Sequence, residues 1–180
     1  MDIQTVLSRL ARVIRFDASV YREIAGDQNA MPGAVVVVVV AAIINALGAL
    51  GQGVLAVVMS VIVALVAFAV YSAAAALVSK SMFQGRTGFS EMARTLGYTY
   101  VWQAIGILGA IPLLNVAVIC LAPLAWIASI VSGVLALRES SEFDTTKAVV
   151  TMLIAAVLGF LVTACATGPM FATLGLGARQ

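Results

Sequence analysis

The sequence predicts an all-α fold: a polytopic membrane bundle of five transmembrane helices behind an N-terminal amphipathic helix, with the N-terminus in and the C-terminus out. Three observations carry this. Of 180 residues, 63% are hydrophobic and 10% charged, where a soluble domain carries about 25% charged residues. Val54 to Ser79 runs for twenty-six residues without Asp, Glu, Lys, Arg, His, Pro or Gly. As a helix it reaches about 39 Å, enough to cross a hydrocarbon core of about 30 Å with tilt; in water it would need burial on every side. Thirdly, the lysines and arginines fall almost entirely into alternate loops.

Residues 1–16 read as an amphipathic helix, since Ile3, Val6, Leu7, Leu10, Val13 and Ile14 recur at spacings of three and four. Arg9, Arg12 and Arg15 fall away from that stripe. Such a helix either lies in the membrane surface on the anionic leaflet or docks its stripe on protein, and the sequence leaves both open. Asp17 is placed to cap a short helix from Ala18 to Ala25 by accepting its free N–H groups. Gly26, Asp27, Gln28 and Asn29 break the chain, and Pro32-Gly33 introduces the first span. About thirty mostly polar residues precede that span, unlike a cleavable signal, so it is expected to be retained.

Residues 1–32 are thus read as cytoplasmic helices, 33–168 as the transmembrane domain and 169–180 as a short external tail. The spans are placed at about 34–50, 54–79, 92–110, 113–137 and 145–167. The first opens with six valines, Val35 to Val40, and ends in Gly48, Gly51, Gln52 and Gly53, a turn tight enough to make spans one and two an antiparallel hairpin. Lys80 to Glu91 form a polar loop, with Ser90 placed to cap span three. Gly109 and Pro112 separate spans three and four, for which one re-entrant hairpin is the alternative. Pro123 is expected to kink span four, because proline lacks the N–H and crowds the preceding turn. Glu139 to Asp144 form an acidic loop, Asp144 caps span five, and Gly168-Pro169 ends it.

The charges test this layout independently. Arg9, Arg12, Arg15 and Arg22 precede span one. Lys80, Arg86 and Arg94 flank the start of span three, and Arg138 and Lys147 flank the start of span five. Arg179 alone falls on the other side. Basic residues favour the cytoplasm, so five spans with the N-terminus inside satisfy the bias, which four or six would spoil.

Little in the chain suggests chemistry. It has no His, the commonest general base and metal ligand. There is no G-x-x-x-x-G-K-[ST], H-E-x-x-H or G-x-S-x-G. Cys120 and Cys165 form no C-x-x-C pair and read as small buried hydrophobes, their mutual pairing left open. Glu139, Glu142 and Asp144 read as a solvated loop rather than a paired-carboxylate site, which needs burial. No catalytic residue, cofactor or metal is expected, and a net charge of +2 gives no footing for nucleic acid. No ionisable residue lies deep in a span, which counts against a proton-coupled transporter. Asn45, Tyr98, Gln103 and Asn115 are the candidates for a polar crevice among spans one, three and four. The competing reading is hydrogen bonding across helices. Trp102 and Trp126 read as packing residues. Small residues at four-residue spacing, such as Ala125, Ser129 and Gly133 in span four and Ala155, Gly159 and Thr163 in span five, suggest close packing of spans three to five.

Three stretches carry a family likeness: Arg15-Phe16-Asp17 through Val20-Tyr21-Arg22-Glu23-Ile24 with Asp27 after it; Leu96-Gly97-Tyr98; and Leu135-Ala136-Leu137-Arg138-Glu139 followed by Lys147-Ala148. With five spans and an inside N-terminus, the chain resembles the Yip1-domain membrane proteins in their prokaryotic form. Members often show a proline shortly after the Gly-Tyr pair; Trp102 stands near that place here, so the local helix break is expected to be missing. The Asp-Leu-Tyr-Gly-Pro stretch of the eukaryotic trafficking members is also absent, which removes the ground for carrying over small-GTPase binding. The resemblance implies an integral protein of a prokaryotic cytoplasmic membrane and no particular activity. The expected function is that of a non-catalytic scaffold, adaptor or membrane-organising subunit, not an enzyme. Its partners would be membrane lipids and another membrane or cytoplasmic protein, or a second copy, met through Arg9, Arg12, Arg15, Arg22, Arg138 and Glu139. The alternative is a small transporter, channel or lipid-handling protein.

Overall fold

The computed structural model describes residues 2–47, 53–85, 87–110 and 115–173, and every element among them is helical. The turn at Gly48 to Gln52, together with Arg86, Pro112 and Arg179, lies outside the described residues. In chain order the elements are α1 (Ile3–Ile14), α2 (Ala18–Gly26), a 3₁₀ turn (Gln28–Ala30), α3 (Met31–Leu47), α4 (Val54–Phe83), α5 (Phe89–Thr99), a 3₁₀ segment (Tyr100–Ala110), α6 (Asn115–Ser141) and α7 (Thr145–Thr173).

Local chemistry explains most boundaries. Asp2 caps α1 by accepting from the Gln4 N–H, and Asp17 caps α2 by accepting from the Ser19 N–H at 3.0 Å. Pro32 sits in the first turn of α3, where a missing N–H removes no helical bond. Gln84 ends α4 in the left-handed region, its N–H bonding to the Ser79 carbonyl. The expected cap at Ser90 is not used: Gly88 holds the N-cap position and Ser90 lies inside the first turn. The expected stop at Gly168-Pro169 is overridden as well, with α7 continuing to Thr173. In an apolar setting a helix that unwinds leaves bare carbonyls and amides, so continuing past a proline is the smaller loss.

Three helices among the described residues are long and apolar enough to cross a membrane: Gln28–Leu47, counted with its 3₁₀ turn, Val54–Phe83 and Pro123–Ser141; Thr145–Leu161 is a shorter apolar helix. The region expected to be span three is built differently. Its first part, α5, touches α1, α2, α3, α4 and α6, and Met92 to Thr99 are all buried within the protein. It is a central strut, not a lipid-facing helix. At Tyr100 the winding tightens from α to 3₁₀ with no proline present, so the break thought to be missing is there. The Thr95 hydroxyl donates to the Glu91 and Met92 carbonyls and the Thr99 hydroxyl to Leu96. Hydroxyls bonding back into the preceding turn bend and weaken an α-helix.

The core gathers Tyr21, Ile24, Val37, Leu96, Tyr98 and Leu137, joining the N-terminal arm to the bundle. α7 packs on α4 and α6, and the small residues mark where. Gly133 lies under the Met152 thioether and beside the Tyr71 hydroxyl, and Gly159 against the Tyr71 ring. Ser132, Ala136 and Ala155 are wholly buried. Trp126, read as a packing residue, is instead 69% exposed. Cys120 and Cys165 are exposed free thiols, so neither is the small buried hydrophobe expected of it.

Candidate functional site

The charged end of the bundle is built first by the corner between α1 and α2. Phe16 takes a positive φ of 56°, a conformation that strains a non-glycine residue. Two backbone bonds hold it, Phe16 N–H to Val13 O at 2.9 Å and Asp17 N–H to Arg12 O at 3.0 Å. Its ring stacks on Trp102, with centroids 5.3 Å apart and planes 15° from parallel. Trp102 Nε1–H in turn donates to the Ser132 hydroxyl of α6 at 2.9 Å. One aromatic contact therefore ties the arm to the 3₁₀ segment and α6, in agreement with the packing role expected of Trp102.

The corner brings the arm's charges into register. Arg9 Nε–H donates to Glu23 Oε1 at 3.0 Å and Arg9 Nη2–H to Asp27 Oδ2 at 2.7 Å. Arg12 Nε–H donates to Asp17 Oδ2 at 2.9 Å and Nη1–H to Glu23 Oε2 at 2.6 Å. Glu23 thus bridges two guanidiniums. Arg9, expected to point away from the docked stripe, is turned inward between Val6 and Val13 and is only 7% exposed. The reason is on α2 and in the turn after it: two carboxylates more than a dozen residues away complete the fork. Arg12 is half-buried. Arg15 is exposed, with no ion pair among the described residues.

These contacts set the protonation of the arm. Hydrogen bonds from Ser19 and then Arg12 pull the Asp17 carboxyl down to about 2. Arg12 chiefly, with Arg9, lowers Glu23, and Arg9 lowers Asp27. Burial works against the charge on Arg9, but Asp27 and Glu23 outweigh it and raise its pKa. Depressed carboxyl pKa values stabilise the folded arm above the unfolded carboxyl range, near pH 4, and that contribution is lost as pH falls through the folded values. Docking of the arm is therefore expected to hold from neutral pH to about 4 and to fade towards pH 2. Trp102 fluorescence, with Trp126 replaced by Phe, reports this through the Phe16 stack; a signal unchanged down to pH 2 contradicts it.

Arg94 was visible in the sequence only as one more basic residue near a span. It is 8% exposed, and its Nη2–H donates to the Ala25 carbonyl at 2.7 Å. That carbonyl is one of those left bare at the C-terminus of α2, where a cation is favoured. The signal that points to Arg94 is its place in an otherwise weakly charged apolar stretch, where a cation must find a partner.

The far side of this end is closed by α6 and the loop after it. Arg22 Nη2–H meets Glu139 Oε2 at 2.5 Å, and Arg138 donates to Glu139 Oε1 at 2.9 Å. Thr87 donates to the Ser141 hydroxyl, and Phe83 meets Phe143 edge-on. Between these elements lies a polar cavity of about 560 Å³ lined by Arg22, Glu91, Glu139, Ser140, Glu142 and Lys147, among others. Burial raises the Glu91 carboxyl, with Arg94 pulling the other way. Of the expected interaction residues, Arg22, Arg138 and Glu139 meet here, whereas Arg9 and Arg12 form the separate cluster on α1.

Of the expected crevice residues, Asn45, Tyr98 and Gln103 are not brought together. Asn45 is exposed on α3. Tyr98 is wholly buried and borders a cavity of about 350 Å³ with Asp2, Arg9, Asp27 and Asn29. Its hydroxyl interacts with the Arg9 guanidinium, outside hydrogen-bond geometry. Gln103 borders a different, mostly apolar cavity of about 300 Å³ with Tyr71, Tyr100, Trp126 and Met152. Asn115 opens α6, and its side chain lies outside the described residues. Tyr98 belongs to the arm because α5 carries it under α1, beside Gly33.

Compared with known proteins, the chain matches the family model described as Yip1 domain over residues 11–166, most of its length. That span takes in the α1–α2 corner, the Arg94 contact and the Arg22–Glu139 pair. No curated protein and no solved structure matches the chain.

Proposed function

The chain belongs to the Yip1-domain family, and from that premise we propose that it is a non-catalytic membrane protein acting as a scaffold, adaptor or membrane-organising subunit through its cytoplasmic face. The proposed topology has five spans, N-terminus in and C-terminus out, in a prokaryotic cytoplasmic membrane. Three long apolar helices supply three crossings. α7 has 29 residues and would reach about 43 Å as a helix. α5 and its 3₁₀ continuation have 11 residues each and together reach about 38 Å, because 3₁₀ winding rises about 2 Å per residue. A re-entrant hairpin in place of that unit and α6 would leave the arm and the 139–144 loop on the same side.

The observation that carries the function is the division of charge at this end. Arg9, Arg12, Glu23, Asp27 and Arg94 find their partners within the protein itself. Arg15, Arg22 and Lys147 remain on the surface around the 560 Å³ cavity and the arm. A rigid, internally neutralised platform with a few outward cations suits holding a partner better than turning over a substrate. In nanodiscs drawn from native membrane, a stoichiometric partner is expected to copurify. The double variant Arg22→Glu/Lys147→Glu is expected to release it at least about tenfold, a loss near 1.4 kcal/mol. Recovery of the wild-type protein with lipid alone overturns the adaptor reading. It then favours the second reading, a small transporter, channel or lipid-handling protein, for which the apolar cavity beside Gln103 and Trp126 is the supporting observation and liposome flux the assay.

A further inference from the structure

α1 has two apolar faces, and only one is used. At about 100° per residue, Val6, Arg9 and Val13 share one direction and are buried against the bundle. Ile3, Leu7, Leu10 and Ile14 share another, roughly 100° further round. Leu10 is partly buried, but Ile3, Leu7 and Ile14 are 66%, 59% and 47% exposed. Gln4, Ser8, Ala11 and Arg15 occupy the remaining, solvent-facing side.

The level of α1 in the molecule says what meets that free face. A Cβ placed on Gly33 would lie 3.0 Å from Val6 Cγ2, so α1 touches the first turn of α3 at Val6. The next turns of α3 present Val35, Val36, Val40 and Ile43, each 40–46% exposed. These begin an outward apolar belt on a helix long and apolar enough to cross a membrane. α1 therefore lies at the level where that belt begins. Charge is not what would hold it there. Residues 2–27 carry four arginines and four acidic residues, and Arg9 and Arg12 are closed on Glu23, Asp27 and Asp17.

We propose that α1 is an interfacial anchor: Ile3, Leu7 and Ile14 insert at the boundary between headgroups and acyl chains of the bilayer that holds α3. The insertion is apolar and does not depend on anionic lipid. This rests on the membrane reading of α3 and α4, not on any protein partner.

The test uses the full chain with Cys120→Ser and Cys165→Ser, carrying one environment-sensitive fluorophore at Leu7→Cys, Ser8→Cys or Val58→Cys, reconstituted in vesicles. All three positions are exposed, so labelling leaves the core intact. Position 58, on the outward face of α4, reports the bilayer itself. In pure phosphatidylcholine, shallow nitroxide lipids are expected to quench position 7 at least about twofold more than position 8, with iodide showing the reverse order. Adding phosphatidylglycerol is expected to change neither. Equal iodide access at 7 and 8, with 58 quenched by lipid, overturns the anchor and leaves the membrane reading standing. Quenching at 7 that appears only with phosphatidylglycerol overturns the apolar mechanism. Shielding at 7 from both quenchers, growing with protein density, overturns it in favour of a second copy on that face. Absence of lipid quenching at 58 removes the membrane reading and the anchor together.

Discussion

Replacing Arg9 with alanine is expected to undock α1 and lower the stability of the protein by about 2–3 kcal/mol, towards the lower end for a broken buried pair. The guanidinium is enclosed, with a side chain 9% exposed, whereas Glu23 and Asp27 are 45% and 31% exposed. The carboxylates regain some water when Arg9 is lost, which moderates the effect. Glu23 also keeps Arg12, but Asp27 loses its only salt-bridge partner among the described residues. Arg9→Lys should fall between, since one ammonium cannot reproduce a fork that serves two carboxylates. Amide hydrogen exchange over residues 3–26, together with Tm in detergent, reads the effect. Unchanged protection of α1 in Arg9→Ala would show that apolar contacts alone hold the arm.

The second large effect is at Gly33. An alanine Cβ there would come within 2.6 Å of the Tyr98 hydroxyl and 3.0 Å of Val6. Tyr98 is wholly buried and has little room to turn away. Gly33→Ala is expected to cost about 1–3 kcal/mol by overpacking. The obstacle is one oxygen atom, so Gly33→Ala with Tyr98→Phe should recover much of the loss, a coupling of about 1 kcal/mol or more between touching residues. Thermal unfolding of the four proteins of the cycle decides it. Additive losses would mean that Gly33 matters for its backbone and not for the space above it. Gly97 meets the neighbouring residue of α3 in the same way: its Cβ would lie 2.9 Å from Ala34 Cβ and 3.3 Å from the Ala34 carbonyl oxygen. The Gly-Tyr pair that carried the family likeness is thus a packing device. It lets α5 pass close to α3 and places a tyrosine under the arm.

Some of this could be read directly from residues. The Asp17 cap, the short α2 and the apolar run of α4 follow from local spacing, and the structure keeps them; the loop expected from Glu139 is shorter, because α6 runs on to Ser141 with Glu139 buried. The likeness to the Yip1 domain rested on short stretches that now have physical roles: the α1–α2 corner, the α3–α5 contact and the Glu139 end of α6. Other readings failed because they treated a helix as facing one medium. Arg9 looked like a solvent-side charge because its carboxylate partners are far along the chain. Met92 to Thr99 gave no sign that the protein itself would bury every one of them, and the tightening of the helix at Tyr100 had no proline to announce it. Tyr98 and Gln103 were expected to line one crevice, but five residues apart on a helix they point in different directions and border different cavities.

The sequence by itself determined the solvent and where along the chain the basic residues gather. Both are matters of local composition, since a run of apolar residues is too long for any other medium and the basic residues fall between the apolar runs whatever the packing. The tertiary structure alone decided which charges find partners inside the protein, which glycines admit a neighbour, and which face of α1 is left free. Those outcomes depend on atoms brought within a few ångströms from distant parts of the chain, and no periodicity within a single helix encodes them.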